Sequence, residues 1–322
     1  MDNIFDPNPF FALALDPIHV GTGGMHLGRV DLTIVREPGT NLPKIPGTSI
    51  SGACRTYTAM QESGKFPRCA GQGQAQGNYQ GHCGQPDCPI CVTFGFARGT
   101  GAGFQGLAQF SDARLVFFPV HSLAGPVWVT CPGILRDLKI TESEPADGQV
   151  HVASGITASD KLNLGWLMLE VAGTDFAPNL YAVSQEILNR AVLVSDKMFG
   201  HIVNDNLEVR TSVSIDPRTG AAAEGALYTY EAIPRACVLY FEVVISHPKY
   251  YRIARTVEKD GKKQTEYVIP LSDKHHPEGN LDKVKNTVKN GLRLFESLGI
   301  GGMNTRGMGR LRVLNLNAGG GQ

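Results

Sequence analysis

Apolar and polar residues alternate in a pattern that predicts a β-α-β unit near the start of the chain. Residues 10–20 begin as an apolar strand, and residues 30–37 alternate, with Val30, Leu32 and Ile34 on one face and Asp31 and Thr33 on the other. A helix is predicted at residues 48–61 because its apolar residues recur at helical spacing: Ile50, Ala53, Cys54 and Tyr57.

A second unit of the same kind is predicted near the end of the chain. The β-prone residues 236–246 precede an amphipathic helix at residues 282–298, and residues 310–316 alternate as a final strand. Between the two units, residues 107–120 are predicted to form paired strands with a turn at Asp112. This order predicts an α+β fold, a ferredoxin-like or RNA-recognition-motif-like palm that carries insertions.

Four insertions are predicted in one domain rather than a second domain. They are a cysteine-bearing loop at 64–92, a polar surface loop at 139–163, a hairpin at 204–233 and a basic hairpin at 247–281. The basic hairpin is expected to turn at Asp260 and Gly261. Its basic residues could contact RNA, or they could belong to a hairpin that is simply exposed to solvent.

Composition limits the possible partners. The 322 residues are 42% hydrophobic and include no apolar run long enough to span a membrane. The acidic start, without a basic leader, predicts a cytoplasmic protein. The net charge of zero argues against binding free nucleic acid by bulk electrostatics, but it permits a local basic stripe inside an assembly.

Four of the seven cysteines are crowded into a polar, glycine-rich stretch that could not build a core of its own. Cys69, Cys83, Cys88 and Cys91 follow the spacing C-x13-C-x4-C-x2-C, which predicts a structural Zn²⁺ site that organises the loop. His82 could replace Cys83 as the fourth ligand. Unliganded thiols or a redox pair are the alternatives.

The glycine-rich segment 299–314 fits neither common phosphate-binding motif. Asn304 stands where a dinucleotide fingerprint needs its last glycine, and Met308 stands where a P-loop needs lysine. The segment could still bring backbone N–H groups close to an RNA backbone, or it could be a tight connection without a ligand. The residues predicted to contact RNA are Gly301, Gly302, Thr305, Arg306 and Arg310.

Two further segments are candidates for RNA contact. Thr48 or Ser49 is expected to cap the first helix, whose N-terminus could receive a phosphate near Ser49 and Arg55, although most such termini hold nothing. The hairpin at 204–233 could press Arg210, Arg218 and Tyr230 against nucleic acid, or it could extend a sheet or contact another subunit.

These segments, in order, resemble backbone subunits of the RAMP superfamily from type III CRISPR effector complexes, of the Cmr type. The matching stretches are HVGTGG, VDLTIVRE, IPGTSISGACR, GLAQFSDARLVFF, VLVSDKMF, LYTYEAIPR and IGGMNTRGMGRLRV. The resemblance implies a palm, a projecting thumb hairpin and a glycine-rich loop that holds guide RNA. It also implies CRISPR RNA, complementary target RNA, neighbouring backbone subunits, and large and small subunits as partners, without a membrane.

The resemblance further implies an endoribonuclease site. The catalytic carboxylate of target-cleaving members falls on Asp31, and the nearby His and Glu of the family motifs fall on His19 and Glu231. A flipped nucleotide would align its 2′-hydroxyl with its own phosphate, with Asp31 as a base or as a ligand of Mg²⁺ or another divalent cation and His19 as a proton donor.

The chain also departs from the family pattern. Ser51 stands where a lysine is usual, and the four-cysteine insertion suggests a type III-D-like variant. A catalytically silent backbone subunit, which binds and spaces guide and target RNA, is therefore the alternative function. A stand-alone nuclease that processes CRISPR RNA is disfavoured, because no tight His/Tyr/Lys constellation is evident.

Overall fold

The computed structural model describes residues 3–23, 30–71, 81–97, 103–157, 160–223, 227–259 and 261–316. The strands are β1 Phe5–Ala14, β2 Lys44–Ile45, β3 Phe96–Ala97, β4 Gly103–Phe104, β5 Ala108–Phe110, β6 Ala113–Val120, β7 Val127–Thr130, β8 Gln149–Val152, β9 Lys161–Leu164, β10 Leu167–Gly173, β11 Ala191–Leu193, β12 Glu208–Ser212, β13 Tyr228–Ala232, β14 Val238–Ser246, β15 Ile253–Lys259, β16 Lys262–Val268 and β17 Leu311–Val313.

The helices that connect these strands are mostly short. They are α1 Gly47–Gln61, α2 Pro89–Phe94, α3 Pro132–Asp137, α4 Gln185–Leu188, α5 Asp196–Asp205, α6 Leu281–Arg293 and α7 Phe295–Leu298, with 3₁₀ turns at Pro248–Tyr250 and Asn304–Arg306. Within the described residues, no helix is both long and apolar enough to cross a membrane.

The centre of the protein is an antiparallel sheet in the order β17-β1-β14-β6. Neighbouring residues of β1 point to opposite faces of this sheet, and Phe10 and Phe11 accordingly belong to two different buried clusters. The two long helices, α1 and α6, cover the face of Phe10 with the buried side chains Ile50, Cys54, Val284, Val288 and Leu292. The apolar periodicity predicted for both helices is therefore confirmed.

The sheet continues beyond β6 in the order β7-β11-β8-β10-β9, with parallel pairing at β11–β7 and β10–β8. The strand β8 and the start of β9 lie inside residues 139–163, so this segment is not the surface loop expected from its polarity. Val150 and Val152 alternate with Gln149 and His151, and both valines are buried in the core. With only four residues, the strand β8 contains too few alternating apolar positions to be recognised among the polar residues around it.

Residues 30–37 differ from the predicted continuous strand. They pair with three separate segments through single bridges, Gly21 with Ile34, Leu32 with Tyr230 and Arg36 with Pro43. The predicted first strand also ends at Ala14, before His19. The alternating side chains indicate an extended backbone. They do not show which segments the backbone pairs with, and here the pairing is divided among three of them.

Both predicted hairpins contain paired antiparallel strands. β12 and β13 pair from Glu208 with Ala232 to Ser212 with Tyr228, and β15 pairs with β16 along its whole length. Of the predicted turn of the basic hairpin, Asp260 lies outside the described residues. Residues 24–29, which precede Asp31 in the chain, lie outside them as well.

The start of α1 also differs from the prediction. Its N-cap is Pro46 rather than Thr48 or Ser49, and it makes no side-chain capping hydrogen bond. The amide of Gly47 instead donates to Oδ1 of Asp112 at 2.8 Å. Asp112 lies in the predicted turn between β5 and β6, so a carboxylate from a distant segment replaces a local cap.

Candidate functional site

The strand β13 organises the candidate site, because four consecutive residues of it each contact a residue from another segment. Tyr228 accepts a hydrogen bond from Arg306, Thr229 binds Asp31, Tyr230 packs edge-on against His19, and Glu231 binds His19 through its carbonyl. The hairpin, the segment after β1 and the glycine-rich loop therefore meet along one strand.

Thr229 holds the carboxylate of Asp31 in place. Oδ2 of Asp31 accepts hydrogen bonds from the backbone amide of Thr229 at 2.7 Å and from its hydroxyl at 2.9 Å. These two bonds, the amide first, lower the pKa of Asp31 below its usual value. The carboxylate is accordingly ionised at neutral pH.

His19 is buried, with only 6% of its surface exposed. Its Nδ1 lies 2.7 Å from the carbonyl oxygen of Glu231. A carbonyl can only accept, so Nδ1 carries the hydrogen and Nε2 of the neutral ring keeps its lone pair. A Cβ at Gly21 would lie 3.0 Å from Nε2, so the absence of a side chain at Gly21 leaves space beside that nitrogen.

Glu231 is placed beside His19 as expected, but its carboxylate has other partners. Oε1 accepts from the amide of Ile34 at 2.9 Å, and Oε2 accepts from Nη2 of Arg36 at 2.8 Å. Nη1 of Arg36 also donates to Asn204 of α5. Glu231 is buried, and its carboxylate holds residues 34–36 through Ile34 and Arg36.

The glycine-rich loop packs directly against His19. The amide of Gly302 donates to the carbonyl of His19 at 2.8 Å. Gly301 has a φ of +83°, and a Cβ there would lie 2.5 Å from the carbonyl oxygen of His19. At this position glycine is required for a close approach between two protein segments, which is a structural role that the loop chemistry alone did not reveal.

The surface of this loop presents polar residues next to the hairpin. Gly301, Gly302, Thr305 and Arg306 are exposed. The guanidinium of Arg306 lies 5.9 Å from the ring centroid of Tyr228, whose hydroxyl accepts a hydrogen bond from Nη1. The predicted RNA-contacting face of the loop is therefore accessible and joined to the hairpin.

Three of the predicted RNA-binding arginines are already paired with nearby carboxylates. Arg210 pairs with Glu208 at 2.6 Å, Arg218 with Asp216 at 2.9 Å, and Arg310 with Asp16 at 2.6 Å. The side chains of Arg218 and Arg310 are exposed, Arg218 most of all at 87%, and Arg210 is half-buried. Each local carboxylate offsets the positive charge that a phosphate would otherwise meet.

The structure does not bring Arg55 to the surface as an RNA contact requires. Its side chain is buried, with Nε donating to the carbonyl of Cys69 at 2.7 Å and Nη1 donating to the carbonyl of Gly95 at 2.8 Å. Ser49 is half-buried in the first turn of α1, beside the terminus that already receives Asp112. The predicted phosphate seat at this helix is occupied by a protein carboxylate.

The four cysteines of the insertion come together in a buried cluster. Their sulfur atoms all lie within 4.8 Å of one another. Cys83 and Cys91 are 3.6 Å apart, Cys69 and Cys91 are 3.9 Å apart, and Cys69 and Cys88 are 4.0 Å apart. Four thiolates around a tetrahedral ion with Zn–S bonds of about 2.3 Å would be separated by about 3.8 Å. The donor set and its spacing therefore fit a metal ion.

The pKa values of the four thiols diverge, because contact with Cys69 lowers the pKa of Cys83 and raises those of Cys88 and Cys91. The pKa of Cys69 is lowered to about 6, since its contact with Cys83 raises it less than its contacts with Cys88 and Cys91 together lower it. Lys65 lies beside the cluster, where burial lowers the pKa of its ammonium group but the sulfur atoms of Cys88, Cys83 and Cys69 raise it by more in sum. A cation thus accompanies the concentrated thiols.

His82 does not take part in the cluster. Its Nε2 lies 3.0 Å from the carbonyl of Gly71, and burial lowers the pKa of its ring, as does the nearby charge of Arg55. Cys83 supplies the fourth sulfur of the cluster, as the four-cysteine set predicts. Cys54, Cys131 and Cys237 are buried elsewhere.

Three residues that build the site carry no signal in the sequence that singles them out: Tyr228, Thr229 and Arg36. Thr229 lies next to Tyr230, which was singled out, but only the bridge between Leu32 and Tyr230 in the folded chain brings Asp31 to Thr229. Arg36 lies in the alternating segment after Asp31, where its polar position was visible and its buried partner Glu231 was not.

The sequence and the fold both match known proteins. Residues 12–312 match the RAMP superfamily, and the chain belongs to that superfamily. It is 26% identical, over 255 residues, to the CRISPR system Cmr endoribonuclease Cmr4 of Pyrococcus furiosus, a match that covers 72% of this chain and 79% of that protein. The superfamily membership expected from the sequence motifs is confirmed.

Solved structures share the fold across almost the whole chain. A subunit of the type III-B Cmr-beta complex bound to cognate target RNA superposes with a TM-score of 0.65 at 15% identity, covering 97% of this chain and 99% of the subunit. A crystal structure of Cmr4 gives a TM-score of 0.55 at 20% identity, covering 96% of this chain and 98% of that one.

Proposed function

We propose that this protein is a guide-RNA-binding backbone subunit of a type III CRISPR effector complex and that it cleaves complementary target RNA. The relative from Pyrococcus furiosus is named an endoribonuclease of a Cmr system, and the structural neighbour belongs to a Cmr complex bound to target RNA. The observation that carries the proposal is the convergence of Asp31, His19 and Arg306 on consecutive residues of β13.

The palm of this subunit is ferredoxin-like. Its strands β17, β1, β14 and β6 lie side by side and antiparallel, α1 precedes β6 in the chain, and α6 precedes β17. In chain order this is the arrangement 4-1-3-2, with both helices on one face, which suits an α+β palm that presents loops and a hairpin at its edge.

The cleavage step is an attack by the 2′-hydroxyl of a splayed nucleotide on its own phosphate. The 2′-oxygen forms a bond to phosphorus as its proton passes to water, the 5′-oxygen leaves and takes up a proton, and the products are a 2′,3′-cyclic phosphate and a 5′-hydroxyl. A carboxylate whose pKa is lowered is a weak base, so Asp31 serves by orienting the hydroxyl or by holding a divalent cation near the phosphate. Among the described residues, clusters of three or more metal ligands are limited to the four cysteines.

His19 is suited to proton transfer at one defined nitrogen. The bond from Nδ1 to Glu231 fixes the ring, and Nε2 is the free position beside Gly21. In its doubly protonated form His19 would donate from Nε2 to the leaving 5′-oxygen. Glu231 contributes by positioning, through its carbonyl at His19 and its carboxylate at Arg36.

The glycine-rich loop and the hairpin form the proposed RNA surface. Gly301, Gly302, Thr305 and Arg306 face solvent at the base of the hairpin, where guide RNA would run past the site. Arg210, Arg218 and Arg310 would contact RNA only by sharing or leaving their carboxylate partners. Ser49 can contribute a hydroxyl, and we assign Arg55 to the cysteine cluster instead of RNA.

The four cysteines hold a structural Zn²⁺ ion in this proposal. The sulfur spacing, the burial and the nearby cation fit a closed four-thiolate site, which leaves no position for substrate. The ion would order an insertion that has few apolar residues of its own, and its chemistry would be structural.

Target-RNA cleavage by the reconstituted complex tests the function. Asp31→Asn keeps the size of the side chain and removes its charge, and Asp205→Asn removes a carboxylate at the end of α5 as a matched control. The proposal expects loss of the cuts opposite this subunit for Asp31→Asn, with guide and target affinities unchanged. An unchanged cleavage pattern would establish the alternative, a silent subunit that spaces the two RNA strands.

A further inference from the structure

Arg55 connects helix α1 to the two segments that carry three of the four cysteines. Its Nε donates to the carbonyl of Cys69 at 2.7 Å. Its Nη1 donates to the carbonyls of Gly95 at 2.8 Å and Phe94 at 3.4 Å, which lie at the end of α2. Cys88 is the N-cap of α2 and Cys91 lies within it.

The geometry suits an arginine and no smaller cation. A planar guanidinium offers several donors in fixed directions, so one side chain can reach carbonyls from two segments at once. The carbonyl that Nε binds belongs to a ligand residue itself, and the carbonyls that Nη1 binds close the short helix that bears two other ligands. Outer contacts of this kind set the orientation of first-sphere metal ligands.

The charges of this region are also complementary. Zn²⁺ with four thiolates carries a net charge of about −2, which is costly to bury without compensation. Arg55 is buried in this region, and Lys65 lies against the sulfur atoms. The two cations match the charge of the proposed metal site.

Within one helical turn of Arg55, helix α1 also contacts the glycine-rich loop. The hydroxyl of Tyr57 donates to the carbonyl of Gly299 at 2.7 Å, at the first residue of that loop. Cys54 and Thr58 also bond to carbonyls of α6 at Val288 and Thr287, and α6 is joined to the loop by the short helix α7. The same stretch of α1 thus contacts the cysteine cluster on one side and the glycine-rich loop on the other.

We propose that Arg55 is a positioning residue that links metal binding at the four cysteines to the order of the glycine-rich loop. Metal binding fixes the carbonyls that Arg55 holds, Arg55 fixes α1, and α1 holds the loop through Tyr57 and the contacts with α6. By thermodynamic linkage, a ligand that orders the loop must in turn tighten metal binding. Where that ligand is guide RNA, the inference rests on the proposed function.

The first test measures metal affinity in the RNA-free protein. Arg55→Lys keeps the charge without the forked donors, Arg55→Met removes both, and Arg136→Met removes an exposed arginine of α3, which pairs with Asp196, as a control. Zinc competition against a chromogenic chelator and the absorption spectrum of the Co²⁺-substituted protein are the readouts. Both Arg55 variants are expected to bind zinc about 10- to 100-fold more weakly, with the control unchanged. Affinities equal to the wild type would overturn the proposal.

The second test uses the wild-type protein and so does not depend on a variant that folds. Amide hydrogen exchange is compared with metal bound and after removal by a chelator. We expect faster exchange in residues 54–58 and 299–310 as well as in residues 81–96, with the basic hairpin at 253–268 unaffected. Exchange that changes only within residues 64–97 would refute the link to the glycine-rich loop.

A guide-RNA arm separates this inference from the proposed function. Guide RNA is expected to slow zinc release from the wild type, and Tyr57→Phe is expected to weaken that effect while metal affinity without RNA stays the same. If the wild type binds no guide RNA, the proposed function fails and the hydrogen-exchange result alone decides the link. If guide RNA binds without slowing zinc release, the link is wrong and the proposed function stands.

Discussion

Nδ1 of His19 donates a hydrogen bond to the carbonyl oxygen of Glu231 across 2.7 Å, joining the segment after β1 to strand β13 of the hairpin. This contact fixes both the tautomer and the orientation of the imidazole. Asp31 is held two residues away on the same strand, by Thr229. Residues two apart on a strand are separated by about 6.6 Å, so β13 sets the spacing between the two proposed catalytic groups.

Substitution of Thr229 by valine is expected to weaken cleavage without removing a catalytic group. The hydroxyl that donates to Asp31 is lost, while the amide remains, so the pKa of Asp31 should rise toward its usual value. We expect a reduction in cleavage rate of about tenfold, the size typical of one hydrogen bond to a charged group. Thr211→Val, on the paired strand, is the control for loss of a hydroxyl.

The same substitution has a pH signature. The hydrogen bonds favour the ionised form of Asp31, so their stabilisation is present above the ordinary aspartate pKa and is lost as the pH falls through the lowered value. Carbon-13 NMR titration of the Asp31 carboxyl group would show a higher midpoint in Thr229→Val. Identical midpoints in both proteins would contradict the assigned role of Thr229.

Replacement of His19 by glutamine is expected to reduce cleavage by about 10²- to 10⁴-fold, the usual contribution of a general acid. The amide of glutamine can still donate toward the carbonyl of Glu231, but it cannot transfer a proton at the position of Nε2. Guide and target binding should be retained, and a gel-based cleavage assay at saturating target distinguishes the two effects. Near-normal cleavage would remove His19 from the mechanism.

Glu231→Gln is expected to destabilise the fold. The substitution breaks a largely buried ion pair with Arg36, whose side chain is 21% exposed, and should cost about 2–3 kcal/mol. Glu208→Gln breaks the more exposed pair with Arg210 and should change the free energy of unfolding by less than about 1 kcal/mol. Urea denaturation compares the free energies of unfolding of the two variants. Equal losses would show that the burial of Glu231 does not make its ion pair more stabilising than the exposed one.

Two neighbouring glycines should respond differently to alanine. A Cβ at Gly301 would meet the carbonyl of His19 at 2.5 Å in a left-handed backbone, whereas a Cβ at Gly302 would come no nearer than 3.7 Å to another atom. Gly301→Ala should cost about 1–3 kcal/mol and displace His19, and Gly302→Ala should be close to neutral. Thermal unfolding and target cleavage are the measurements. If Gly301→Ala changes neither the thermal unfolding nor the cleavage rate, the loop does not hold His19 in position.

Cysteine and histidine variants distinguish the two possible ligand sets of the metal site. Cys83→Ser is expected to lower the zinc content well below one ion per chain, because Cys83 supplies a sulfur of the cluster. His82→Asn should keep the metal, since His82 lies outside it. Elemental analysis of the purified proteins gives the result, and a metal-free wild type would show that the thiols are unliganded.

Much of the architecture followed from the sequence alone. The apolar periodicity of α1 and α6, the strands β14 and β6 and the two hairpins depend on contacts close in the chain, and local patterns record such contacts. The four cysteines were also identified by spacing, because few arrangements satisfy four thiols in a polar loop. The motifs gave the superfamily for the same reason, since each is short and contiguous.

Tertiary structure decided the partners of the polar groups. Sequence placed Arg55 beside a helix N-terminus as a phosphate ligand, but folding buries it against Cys69 and Gly95. Sequence named Glu231 as a catalytic candidate, and folding assigns its carboxylate to Arg36. The physical reason is the same in both cases. A buried charge needs a partner, and here the partner comes from another segment of the chain, which no local sequence pattern identifies.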